Sequence, residues 1–428
     1  MALSCSWAAV VSTESRPRLD SVSSVESDDS WVSFVESEDS SVSTVESGDS
    51  SVSTVESGDS SVPSVESEDS SVAPDKSGDS SVARDKSGDS SASDSLPLAK
   101  IVLFSREDVI TGWKSSVAVG AGLQNMGNTC YMNSVLQALF HIPSFANWLL
   151  SRPSCSNSTC TEKKLCLICL LAETLQMTRN KSRNAMKPAG MHKALKFIFK
   201  RPVRGEQEDA HEFLRCLIEA LEESFLQSVN GTTLDATSKE TNPLSQIFGG
   251  YLRSQVVCDR CQCKSTTFQH FQEISLDIEK VSDLVPAMKN FFCPEKLEDY
   301  NCEKCKTRVT ATKKVSIERT PNVLCIQLKR FDYTGSKIST SIACPREINL
   351  DDYLSNSATN GETPYKFVSQ INHLGWSQYR GHYTAIAEAS NGKTYTFNDA
   401  LVKEIPVSGS SEATPGKMAY VVMYERLK

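Results

Sequence analysis

Residues 122–134 read GLQNMGNTCYMNS and set one thiol, Cys130, directly after a turn rich in Gly and Asn. Val135, Leu136, Leu139 and Phe140 then recur at helical spacing, so Cys130 opens a helix. The positive end of the helix dipole favours the thiolate there, and the thiolate is the nucleophilic form. Other cysteines lack that setting. Cys216 on an apolar helix and Cys325 in a strand read as core. Five residues before Cys130, Asn125 offers a side-chain amide. With the Cys130 backbone N–H it suits the oxyanion of a tetrahedral intermediate, a role worth about 3 kcal/mol when preorganised. Ordinary turn chemistry is the alternative for a single Asn in such a loop.

A thiolate needs a base, and the chain holds 6 histidines. His382 stands apart, in YRGHYTAIAEASNGKTYTFNDALV. Asn391-Gly392 is a strong hairpin signal, which pairs HYTAIAEA with KTYTFND as antiparallel strands. The fold-back returns Asn398 and Asp399 to the end that carries His382. The simplest register sets His382 opposite Leu401, so a bend after Phe397 or a bulge must close the gap. Cys, His and an amide or carboxylate orienter make up the triad logic of papain-type acyl transfer.

Two further Cys pairs suggest a metal. Cys258-Asp-Arg-Cys261 and Cys302-Glu-Lys-Cys305 are CxxC turns separated by forty residues. Each turn presents two thiolates at the separation that tetrahedral zinc requires. The intervening chain would form extended strands stapled at one end. Four reduced cysteines, or a site that has lost its metal, is the alternative. Cys263 reads as a bystander. Cys155, Cys160, Cys166 and Cys169 hold only one CxxC, which permits a metal without requiring one; reduced, half-buried thiols fit as well.

The elements that must position these groups lie in the second part of the chain. Residues 1–100 carry 6 Lys and Arg against 20 Asp and Glu, while the remainder carries 39 against 33. An acidic tail therefore precedes a mildly basic body. Residues 21–90 are seven ten-residue units such as SVSTVESGDS. Two valines among Ser, Asp, Glu and Gly bury too little area to offset backbone ordering, so residues 1–120 are expected to be disordered. A solubilising spacer and a substrate for an acid-directed kinase are both open readings of the repeats.

In 206–225, EQEDAHEFLRCLIEALEESF, apolar residues fall at helical spacing behind a first turn holding Glu206, Glu208 and Asp209. NVLCIQLKRF at 322–331 and HYTAIAEA at 382–389 read as strands. Helices first and strands later indicate an α+β fold of the papain-like cysteine protease kind over 121–428. No signal peptide and no membrane-length apolar run is evident. The 15 cysteines then fit a reducing compartment, cytoplasmic or nuclear, and metal or thiol chemistry rather than disulfides.

These residues carry a family pattern. GLQNMGNTCYMNS resembles the Cys box of the ubiquitin-specific proteases, and GHYTA with YTFND resembles their His box. QEDAHEFL (207–214), IFGGYLRSQVVCDRC (247–261) and IQLKRFDY (326–333) resemble the blocks between, from about Gly122 to Tyr424. The resemblance implies a thumb, a palm and zinc-bearing fingers. It implies a thiol-dependent deubiquitinase that cleaves after the C-terminal glycine of ubiquitin. Cys130 matches the nucleophile, His382 the base, Asn398 the third triad member, Asp399 a supporting acid and Asn125 the oxyanion residue. Asp209 and Glu212 match positions that meet the basic tail of ubiquitin, and carboxylates pair well with arginine.

Two features depart from the family pattern. Tyr379-Arg380 stands where the family often has a His followed by a small residue, and Asn398 supports an imidazolium less than an Asp would. Asp399 is placed to supply that charge. The partners implied are ubiquitin and ubiquitinated proteins, with no membrane, and the chain is expected to be a monomer. Nucleic acid is disfavoured because Lys and Arg are scattered and no aromatic platform is visible. A catalytically silent ubiquitin-binding module is the rival reading, yet Cys130, His382 and Asn398 are all present.

Overall fold

The computed structural model describes residues 95–428, apart from 152–165, 181–184, 202–204, 332–335, 356–362, 378–379, 407–412, 415–417 and 428. The expectations for the repeats at 21–90, and those touching Cys155, Cys160 and Tyr379, lie outside the described residues.

Helices come first: α1 (Cys130–Phe140), α2 (Pro143–Ser151), α3 (Leu167–Asn180), α4 (Ala189–Ile198) and α5 (Ala210–Ser228). Short helices α6 (Ala236–Lys239) and α7 (Pro243–Phe248) follow, and α8 (Leu284–Phe291) interrupts the strands. In α5 the stripe Ala210, Phe213, Leu214, Leu217, Ile218, Leu221 and Phe225 is buried as its spacing predicts. The helix starts later than expected. Asp209 is its N-cap, accepting from the His211 and Glu212 amides. Glu206 and Glu208 therefore precede the helix, and Glu208 instead takes a two-pronged contact from Arg201 at 2.8 and 2.7 Å.

The strands are β1 (Gly250–Cys258), β2 (Lys264–Phe271), β3 (Ile274–Asp277), β4 (Glu295–Cys302), β5 (Thr307–Arg319) and β6 (Val323–Lys329). Then come β7 (Cys344–Pro345), β8 (Glu347–Asn349), β9 (Pro364–Ser377) and β10 (Arg380–Glu388). The last are β11 (Thr394–Asn398), β12 (Leu401–Ile405), β13 (Ala413–Thr414) and β14 (Ala419–Arg426). The fingers are a four-stranded sheet, β2-β1-β5-β4. The palm is β12-β11-β10-β9-β14-β6-β3, with β8 on β9. β7 and β13 pair separately.

Both faces of the palm are covered. Along β14, Val421 and Met423 face one apolar cluster while Val422 and Tyr424 face the other. That alternation explains why its sequence is nearly continuous in apolar residues. The first cluster joins the palm to the helical thumb through α1, buried on every residue and packed on β10, β9, β11 and α5. Cys130 thus starts a fully enclosed helix. Among the described residues no helix is long and apolar enough to cross a membrane.

Packed chain extends upstream of residue 121. Leu103, Phe104, Val109, Trp113 and Val119 pack against the first cluster. The Leu103 amide bonds Thr241 Oγ1 at 2.9 Å, the Gly112 amide Glu425 Oε2 at 2.8 Å, and the Val117 amide Ser390 Oγ at 2.8 Å. Residues 95–120 include a strap bonded across the domain. Their apolar residues are spaced too irregularly to read as an element, which is why composition alone groups them with the tail.

Candidate active site

The turn before Cys130 is built around one side chain. Asn125 Oδ1 accepts from the amides of Gly127 and Thr129, each at 3.0 Å, while Thr129 Oγ1 accepts from the Met126 amide at 2.8 Å. The helix begins at Cys130, whose backbone N–H belongs to the first turn, where helical amides have no partner four residues back. Cys130 is only 2% exposed, so its sulfur is open to very few approaches.

His382 lies in β10 and Asn398 ends β11. The two strands pair as expected, but the ladder runs Ala385–Phe397 to Glu388–Thr394. Continued, that register sets His382 opposite Ala400 rather than Leu401. The loop is the cause. The Ala389 amide bonds the Lys393 carbonyl at 2.9 Å, leaving a three-residue turn that ends on Gly392 at φ 75°. The gap is closed by a tight reversal one residue later than expected. Asn398 pairs with Leu401, and Asp399 takes φ 47° at the tip. Asn398 therefore stays beside His382.

Asn398 Oδ1 lies 2.6 Å from His382 Nε2. An amide oxygen only accepts, so Nε2 carries the proton and Nδ1 is left to the sulfur. Hydrogen bonding to Cys130 raises the His382 pKa from 6.5 to about 9. Burial opposes that rise, and Asn398, the thiolate charge and Asp399 add to it. The charge expected of Asp399 is thus present, as the smallest of these contributions.

The carboxylate of Asp399 has a different main occupation. Its Oδ2 accepts from Asn125 Nδ2 at 3.0 Å and its Oδ1 from Asn133 Nδ2 at 2.8 Å. Asn133 sits one turn along α1 and also donates to the Leu123 carbonyl at 3.1 Å. The Leu123 amide in turn donates to the Asp399 carbonyl at 2.8 Å. Gly122 is needed here because an added Cβ would overlap the Ala400 backbone. Asn133 was missed in the sequence, although it stands in the quoted Cys box. Its only signal, shared with Ser134 and Gln137, is a polar residue in a helix otherwise apolar.

Asp209 and Glu212 flank the same region. Asp209 Oδ2 accepts from Tyr420 Oη at 2.8 Å and Tyr383 Oη at 3.3 Å, while Oδ1 caps α5. Burial and Asp209 push both phenols up, so they remain donors. Glu212 keeps 38% of its side chain exposed, 3.8 Å from Arg201. The Gly381 amide donates to Gln207 Oε1 at 3.0 Å, which ties the loop before α5 to the residue preceding His382.

The fingers bring Cys258, Cys261, Cys302 and Cys305 together, with all four sulfurs within 4.8 Å of one another. Cys258–Cys305 and Cys261–Cys302 are 3.8 and 3.6 Å apart. Four sulfurs at about 2.3 Å from a zinc ion would be about 3.8 Å apart. The Cys261 and Cys305 amides each donate to the first sulfur of their turn at 3.4 Å. The strands are stapled at one end as expected, because Cys258 is level with Ala311 where β1 meets β5. This cluster can hold a metal ion. Cys263 lies outside it, and Cys166 and Cys169 are half-buried and form no disulfide.

The profile of the ubiquitin carboxyl-terminal hydrolase family matches residues 121–424. Ubiquitin carboxyl-terminal hydrolase 36 of Drosophila virilis is 46% identical over 344 residues, which cover 78% of this chain and 28% of that protein. Its namesake in Drosophila pseudoobscura pseudoobscura is 46% identical over 342 residues, covering 78% and 32%. The chain thus spans about a third of the length of these relatives. The SAGA Ubp8/Sgf11/Sus1/Sgf73 DUB module bound to ubiquitin aldehyde is similar with a TM-score of 0.61 and 28% identity, over 74% of this chain and 72% of that one. The same module bound to monoubiquitin gives 0.62 and 27%, over 75% and 72%. These neighbours are multi-protein assemblies, so the expectation of a monomer gains no support from them. With the profile running through the thumb, palm and fingers, and with relatives this similar, the chain belongs to the ubiquitin carboxyl-terminal hydrolase family.

Proposed function

We propose that this chain is a deubiquitinating cysteine protease that hydrolyses the bond after the C-terminal glycine of ubiquitin in ubiquitin–protein conjugates. The observation that carries this reading is the chain of contacts Cys130–His382–Asn398, with Asn125 held beside it by Asp399. The Cys130 thiolate attacks the glycine carbonyl carbon, and the carbonyl electrons move onto its oxygen. The Cys130 amide and the second N–H of Asn125 receive that oxyanion. Collapse breaks the C–N bond, and His382 gives its proton to the departing amine. A thioester remains. His382 then takes a proton from the water that attacks the thioester carbonyl; collapse breaks the C–S bond, restores the Cys130 thiolate beside the His382 imidazolium, and the acid product ionises as it leaves.

Ubiquitin as the partner is supported by the neighbours bound to ubiquitin aldehyde and to monoubiquitin. Glu212 has the exposure to meet an arginine of the ubiquitin tail, while Asp209, whose oxygens serve the cap and two tyrosines, holds the wall in place. Zinc suits the four-cysteine cluster, with Cys258, Cys261, Cys302 and Cys305 as its ligands and a structural role far from the thiol chemistry. A cytoplasmic or nuclear location is consistent with the cysteines of the described residues forming no disulfide. Hydrolysis of a fluorogenic ubiquitin C-terminal amide tests the function. Turnover by the purified chain that is abolished in Cys130→Ala is expected, and no turnover by the folded chain would count against it.

A further inference from the structure

Lys337 is bonded twice to the backbone that presents the catalytic imidazole. Its Nζ donates to the His373 carbonyl at 2.7 Å and to the Gly375 carbonyl at 3.0 Å. Both belong to β9, and Leu374 between them is the residue paired with His382 in β10. This end of the ladder is irregular. The register shifts between Arg380 and His382, and Gly375 has φ 144°. Neighbouring groups pack there too closely for a side chain, since a Cβ on Gly381 would overlap the His373 ring and one on Gly375 the Arg380 carbonyl.

A bulge re-aims the side chain beside it, and the strand opposite must be held for that aim to last. The His373 amide bonds the Met418 carbonyl, so the His373 carbonyl faces the β14 side of β9, where that ladder runs out, and it needs a donor there. Lys337 supplies one. It is delivered by the bridges Phe331–Lys337 and Ser336–Ser377, which lay residues 336–337 against the hairpin. Its neighbours are cationic. Arg330, fully buried, donates to the carbonyls of Ala419, Ile338 and Thr340. After burial, the charge of Lys337 is the next cause that holds His373 down at about 4. His373 therefore stays neutral behind the His382 imidazolium, where a second cationic ring would repel it.

We propose that Lys337 is a positioning residue for the thiol chemistry: by clamping the His373 and Gly375 carbonyls it fixes the bulge that aims His382 at Cys130. The proposal rests on the hydrolase reading but acts through β9 and is measurable without ubiquitin. The test compares Lys337→Met, Lys337→Gln and Lys337→Arg in the full chain. Alkylation of Cys130 by iodoacetamide, read by mass spectrometry across pH, reports the thiolate that His382 maintains. Lys337→Met and Lys337→Gln should slow this alkylation and change its pH profile. Lys337→Arg, which keeps charge and donors, should retain most of the wild-type profile. On a ubiquitin amide, Lys337→Met should lose about tenfold in kcat with KM little changed.

A folded Lys337→Met or Lys337→Gln variant with the wild-type alkylation profile would overturn the proposal, whatever its thermal midpoint. A wild-type chain whose Cys130 alkylates at low pH but which releases no amine from the ubiquitin substrate would refute the hydrolase reading alone. The alkylation profiles would still decide the role of Lys337.

Discussion

Asn125 Nδ2 donates to Asp399 Oδ2 across 3.0 Å, joining segments 274 residues apart in sequence. Because Asn125 Oδ1 is occupied by turn amides, this one bond decides where the remaining N–H of the amide points. Asp399→Ala should therefore lower kcat on a ubiquitin amide by about 10²-fold, the scale of losing one oxyanion donor, with KM within about threefold. Steady-state kinetics checks this. A loss expressed mainly in KM would mean that Asp399 serves binding instead.

The raised pKa of His382 sets a pH window. Its value is about 9 in the folded chain against 6.5 in an unperturbed histidine. The pairing thus contributes stability that is fully present below about 6.5 and is lost as pH rises through about 9. The alkaline limb of kcat/KM should fall near 9, and Asn398→Ala should bring it lower because one of the raising contacts is gone. A limb that stays in place in Asn398→Ala would show that Asn398 does not support the imidazolium.

Gly122 tests the link between the two boxes. A Cβ at this position would overlap the Ala400 backbone, displacing the turn that holds Asp399. Gly122→Ala should destabilise the chain by about 1–3 kcal/mol, the cost of overpacking, and lower kcat further than that loss explains. Denaturant unfolding together with kinetics separates the two effects. Wild-type kcat in a destabilised Gly122→Ala chain would argue against coupling through Ala400.

The fingers give a metal prediction. Purified protein should carry one zinc ion per chain by elemental analysis, and Cys302→Ser should lose it with a fall in thermal midpoint. Chelation of the wild type should reproduce the fall. Full metal content and full stability in Cys302→Ser would exclude a four-thiolate site.

What the sequence made legible was chemistry with a fixed local spacing. Cys130 behind its turn, the two CxxC pairs and the α5 stripe are each set by neighbours within a few residues, and the structure arranges them as that spacing predicts. The hairpin carrying His382 was also legible, but its register slipped by one because three residues rather than two make its turn. Asn133 and the main partners of Asp399 were not legible. They meet only after α1 has packed on the palm, and no local pattern encodes a contact across 266 residues. The strap before residue 121 escaped for the same reason, since its hydrogen bonds run to Thr241, Ser390 and Glu425 far along the chain.

The most direct measurement is covalent capture of the thiol by ubiquitin bearing a C-terminal electrophile. Wild-type chain should gain the mass of one ubiquitin, mapped to Cys130, while Cys130→Ser gains none and His382→Ala reacts far more slowly. A folded wild-type chain that stays unlabelled, or labelling that persists in Cys130→Ser, would contradict the assignment of Cys130 as the nucleophile of a ubiquitin hydrolase.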